Sequence, residues 1–177
     1  MKRAMIACCL ITAMFATVLA KPADFSGAWS LDLSKSKLPQ GGGPGGGGGG
    51  MGGSPLTAQT LTIKQDDKTI SIDTKSEGGM GGGGTQSVKY NLDGSETKTE
   101  MTRGNMTIPI TLKAKVLNNG SLEITRTSKF TGPDGTERTS VTKETWEVAD
   151  GGKTLKVHRV QDGRNGPVES DWVYTKK

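Results

Sequence analysis

Between Phe25 and Tyr174 apolar residues recur at every second position in short rows, and no useful window keeps a helical period. Phe25, Gly27, Trp29 and Leu31 form the first row. Leu61 with Ile63, Ile70 with Ile72, and Val88, Tyr90 and Leu92 follow. Ile108, Ile110, Leu112, Ala114 and Val116 make the longest row. Leu122 with Ile124, Trp146 with Val148, Leu155 with Val157, and Trp172 with Tyr174 complete the set. The alternate positions are mostly Thr, Ser, Lys, Asp and Glu, as a sheet with one dry face and one wet face requires. The pattern predicts an all-β, antiparallel up-and-down meander of about ten strands. Ser95–Arg103 has almost no apolar face and is the weakest of them. Pro109 lacks a ladder donor, so its strand should begin at an edge or a bulge.

Turn residues divide the rows. Asp66-Asp67, Asp93-Gly94, Asn119-Gly120 and Asp150-Gly151-Gly152 make tight connections. If consecutive strands are antiparallel neighbours, all of these lie at one end. The other end then receives every longer connection: Gly104-Asn105, Gly132–Gly135, Asp162–Gly166 and two glycine tracts, Gly41–Gly53 and Gly78–Gly84. Those tracts hold most of the 27 glycines and read as flexible loops, because glycine loses the most backbone entropy on ordering. An even number of strands lets the first pair antiparallel with the last. A sheet closed at one end and loop-rich at the other has the form of a barrel that holds a ligand.

Residues 1–20 read as a signal peptide. Lys2 and Arg3 precede the uncharged run Ala4–Leu19, and Val18-Leu19-Ala20 suits cleavage before Lys21. The run is short for a membrane span of about 20 residues, so no stable span is expected after cleavage. Cleavage removes Cys8 and Cys9, the only cysteines, leaving no thiol and no disulfide. Residues 21–177 are long enough for one core and short for two. The formal net charge of +5 is interspersed rather than blocked, which fits solubility and not nucleic-acid binding. The expected address is exported, periplasmic or extracellular, in a bacterium; the oligomeric state stays open.

The opening Phe25-Ser26-Gly27-Ala28-Trp29-Ser30-Leu31-Asp32, followed by Lys35-Ser36, resembles the first strand of lipocalin-like, calycin-type domains. It is also similar to a group of secreted bacterial proteins of this length. The resemblance spans most of residues 24–176 as an architecture. It implies a barrel whose Gly27-x-Trp29 motif closes the base, often with an arginine from the last strands over the tryptophan. Arg159 is a candidate for that place. A C-terminal helix pattern and a cysteine pair are missing, and the first loop is glycine-rich.

Catalytic candidates are few. His158 is the only histidine and has outward parity, so a histidine triad or a multi-histidine metal site is excluded. The glycine tracts lack the Lys-Ser/Thr of a phosphate loop and the aspartates of a calcium repeat. No catalytic residue, metal ligand or cofactor is assigned, and no enzyme is expected.

Binding candidates are more numerous. Arg126 and Arg159 continue inward rows and together suit a carboxylate head group, as in fatty-acid carriers. The plainer and preferred account puts both near strand ends, reaching water. Tyr90, Trp146, Trp172 and Tyr174 suit a pocket wall, with core filling as the preferred account. Met51 and Met80, at two loop tips of one end, suit adaptable apolar contact over a barrel mouth, or are incidental. The leading expectation is a non-catalytic carrier of a small apolar or amphipathic molecule. The alternative is an interaction or structural module of the cell envelope without such a ligand.

Overall fold

The computed structural model describes residues 23–39, 54–79, 83–103, 106–131, 135–163 and 166–177. The expected signal peptide, the Gly41–Gly53 tract, Met51 and Met80 lie outside the described residues. The strands are β1 (Gly27–Leu31), β2 (Ser54–Gln65), β3 (Thr69–Gly79), β4 (Gly84–Asn91), β5 (Asp93–Arg103), β6 (Met106–Val116), β7 (Leu122–Thr131), β8 (Glu137–Ala149), β9 (Thr154–Gly163) and β10 (Gly166–Lys176). They form one antiparallel sheet in the order β4-β3-β2-β1-β10-β9-β8-β7-β6-β5. The first strand pairs with the last, Trp29 opposite Lys176 and Leu31 opposite Tyr174, which curls the meander into a nearly closed barrel.

Every consecutive pair is a ladder except β4 and β5, which are the two edges of the sheet. Asp93-Gly94 therefore does not close a hairpin, contrary to the expectation for that turn. Polar side chains of β4 reach across the seam instead. Asn91 Nδ2 donates to Ser95 Oγ at 3.0 Å, and Gln86 Nε2 lies 3.4 Å from Met101 Sδ. The apolar-poor segment at 95–103 is a strand nonetheless, held to β6 on one side from Glu96 to Arg103. Pro109 sits where β6 pairs with β5 alone; pairing with β7 begins one residue later, at Ile110. That is a local edge, where a missing N–H costs nothing. Gly78 and Gly79 end β3 and Gly84 opens β4, so the second glycine tract contributes to strands at both its ends.

The predicted rows point inward. Trp29, Ile70, Leu122 and Leu155 are among the most buried side chains. The tight connections gather at one end, where the chain before β1 forms a plug. Ala23 N donates to Gly120 O at 3.0 Å. Trp29 Nε1 donates to Phe25 O at 2.9 Å, and the Phe25 ring meets Trp146 edge-on at 6.2 Å. Lys176 Nζ lies over the Trp29 ring at 5.1 Å. Gly27 is needed beside it: its φ is +129°, and a Cβ there would meet Lys176 Cε at 2.7 Å. The cation over Trp29 is thus Lys176 and not Arg159.

Gln65 clamps the plug to β2, accepting from Phe25 N at 3.0 Å and donating to Ala23 O at 3.1 Å. Replacing Gln65 with alanine removes both hydrogen bonds and should cost about 1–2 kcal/mol. Urea denaturation together with faster exchange of the Phe25 amide checks it; unchanged exchange at Phe25 would contradict the clamp.

Candidate functional site

The barrel interior is divided along its axis. On β7, Leu122 and Ile124 belong to the packed core, and Arg126 is the first residue to face open space. On β9, Leu155 is core, while Val157, Arg159 and Gln161 line that space. On β2, Ile63 is core, and Leu56, Gln59 and Leu61 line it. Side chains therefore fill the closed end, and a cavity of about 650 Å³ occupies the half facing the long connections. That is within the size range of small-molecule sites. Leu38 and Pro39, from the segment after β1, help to roof it.

Arg126, Arg159, Tyr90 and Trp146 all face this cavity, as do Trp172 and Tyr174. The two arginines sit within β7 and β9 and not at strand ends, and both are half-buried, Arg159 being 29% exposed. The aromatics do both things weighed for them: they belong to the core cluster and they form cavity wall. Gly27 and Trp29 are at the sealed base, away from the lining. His158 is on the outer face, with Nδ1 at 2.8 Å from Asp171 Oδ1.

Glu144, which is not among the candidates drawn from the sequence, organises the polar wall. Its Oε1 accepts from Arg159 Nε at 2.7 Å and lies 2.6 Å from Arg159 Nη2. Its Oε2 accepts from Trp146 Nε1 at 2.8 Å. The Arg159 guanidinium also lies over the Trp172 ring at 4.6 Å. The carboxylate is 12% exposed, so it is held away from bulk water by partners on two strands and satisfied by both. Inward parity two residues before Trp146 was the available signal.

Arg126 is held differently. Its one described polar contact is a long hydrogen bond from Nη2 to Tyr90 Oη, 3.4 Å. No carboxylate among the described residues lies within ion-pair distance of it. Glu144 acts on it only through space. A guanidinium stays charged at any ordinary pH, so the cavity wall carries one positive charge without a close counter-charge.

The only two tyrosines of the chain, Tyr90 and Tyr174, are 2% and 3% exposed. Tyr174 Oη donates to Gln59 Oε1 at 2.5 Å. Burial pushes both phenols above their ordinary range; neighbouring Arg126 and Arg159 pull the other way without cancelling it. Because the folded pKa is raised, this contribution to stability is complete below about pH 10 and is lost as pH rises further. Tyrosinate absorbance should therefore appear together with unfolding, in one cooperative step. Independent ionisation near pH 10 with the fold intact would overturn this.

An antiparallel barrel of this order, nearly closed, with a sealed base and an interior cavity, has the lipocalin-like, calycin-type fold. Among solved structures it is similar to the zebrafish ileal bile acid-binding protein in its complex with cholic acid. The TM-score is 0.50 at 15% identity, over 86% of this chain and 98% of that one. No protein-family model and no curated protein sequence matches the chain.

Proposed function

We propose that the domain is an exported, non-catalytic carrier of a small amphipathic molecule, whose anionic head group pairs with Arg126 and whose apolar body lies against the wall. One observation carries this reading: a cavity of about 650 Å³ with a half-buried guanidinium that has no close carboxylate among the described residues. Anions compensate such a group with charge-assisted hydrogen bonds, and Tyr90 Oη stands ready as a second polar contact. Leu56, Leu61, Ile72, Val88 and Met101 supply the apolar wall. The similar zebrafish barrel holds cholic acid, an amphipathic anion, which agrees with this choice. A cell-envelope module has no use for interior space, so the cavity favours the carrier.

Native mass spectrometry of the protein purified from its own host tests the reading. A bound species released on denaturation is expected, as is saturable displacement of anilinonaphthalene sulfonate by long-chain anions. Bare protein together with no saturable displacement would overturn it. Export is tested separately: the protein in the extracytoplasmic fraction should begin at Lys21.

A further inference from the structure

We propose that Glu144 sets the charge of the molecule the cavity accepts, selecting monoanions over dianions. The inference rests on the carrier reading and adds to it. Among the described residues three ionic groups face the cavity: Arg126, Arg159 and Glu144. Glu144 engages Arg159 through two guanidinium nitrogens, at 2.7 and 2.6 Å, and engages Trp146 through its other oxygen. Arg159 is thereby neutralised, and its flat face is occupied by Trp172 at 4.6 Å. Arg126, with only Tyr90 at 3.4 Å, is left as a single uncompensated charge.

A head group with one negative charge brings the wall to neutrality. A head group with two leaves an excess negative charge beside the Glu144 carboxylate, and partly burying such an uncompensated charge is costly. Glu144 thus occupies the place that a second ligand charge would take. Two arginines in one cavity suggest a dianion site; the Glu144–Arg159 pair makes it a monoanion site.

Substitution can step the charge of the wall. Glu144→Gln keeps an oxygen for Trp146 Nε1 and raises the wall charge by one. Arg159→Gln lowers it by one. The double variant restores the original value without the ion pair. The probes are decyl sulfate and decyl phosphate, which share a tail and a tetrahedral head. At about pH 8.5, above the second phosphate pKa of about 6, they carry one and two charges. Binding is read by calorimetry at low micromolar concentration, with decanol as the uncharged control.

The wild-type protein should prefer the sulfate by about tenfold or more. Glu144→Gln should abolish or reverse that preference. Arg159→Gln should weaken the sulfate by about tenfold while leaving decanol bound. The double variant should return to the wild-type preference. Should Glu144→Gln not fold, Arg159→Gln and the double variant still carry the test, because the loss and its recovery follow from charge alone. If the wild-type protein binds the sulfate but no variant shifts the ratio, Glu144 does not select charge and the carrier reading stands. If neither amphiphile binds the wild-type protein, both fall.

Discussion

Replacing Trp29 with alanine should destabilise the barrel by about 3–5 kcal/mol, the range for deleting a buried aromatic. In a domain of this size that lowers the thermal midpoint by roughly 10 °C. The effect is large because several interactions converge on one side chain. Trp29 is fully buried. Its ring carries Lys176 on one face, and its Nε1–H holds the Phe25 carbonyl. That hydrogen bond fixes the plug whose Phe25 ring reaches Trp146 on β8. Trp29 also sits in the only strand that joins β2 to β10, opposite Leu61 on one side and Lys176 on the other. Phenylalanine at this position would refill part of the volume but leave the Phe25 carbonyl unpaired, so it should recover only part of the loss. Urea denaturation of the two variants separates packing from the hydrogen bond. A loss below about 1 kcal/mol for the alanine variant would mean that the base is not closed as described.

Most of this architecture was legible because a strand's side-chain period is two and each tight turn reports a reversal. The rows from Phe25 to Tyr174 became the interior, and counting reversals placed the mouth. Parity tells which face a residue takes, but not what stands opposite it. Glu144 shows the difference. It has inward parity, and the Asp150–Gly152 turn pairs Ala149 with Thr154, which carries Glu144 opposite Arg159. Following that register would have found the ion pair and removed Arg159 as the partner of Trp29. Lys176 was harder to find. It reaches Trp29 through the pairing of β1 with β10, and no turn sets the register of the first strand against the last. The β4–β5 seam was hidden for the opposite reason. The Asp93-Gly94 turn is there, yet the strands it joins diverge into separate edges, each with its own neighbour on the other side. The row on the β5 side of that turn is almost wholly polar and gives no burial signal that would demand pairing.

Arg126 is where binding and stability should separate. Arg126→Gln is expected to weaken decyl sulfate binding by about 2–3 kcal/mol, roughly 30- to 150-fold, the scale of a lost charge-assisted hydrogen bond to a buried partner. The same change should leave the urea midpoint unchanged or raise it. It takes from the native fold a single 3.4 Å hydrogen bond to Tyr90, whereas the charge it deletes is a partly buried one with no close counter-charge among the described residues. Glu144→Ala should do the reverse to stability, since it strands Arg159 beneath Trp172 without its carboxylate. The contrast follows from geometry: Arg159 is held by a carboxylate and Arg126 by a single long hydrogen bond, and under the proposed carrier reading that second charge is kept for the ligand. Keeping a charge in reserve costs stability, and a chain without disulfides in its folded domain has little reason to bear that cost unless the charge is used. Calorimetric titration and denaturation on the same Arg126→Gln preparation decide the matter. Undiminished sulfate affinity would remove Arg126 from the site, and a marked fall in stability would show that it serves the fold instead.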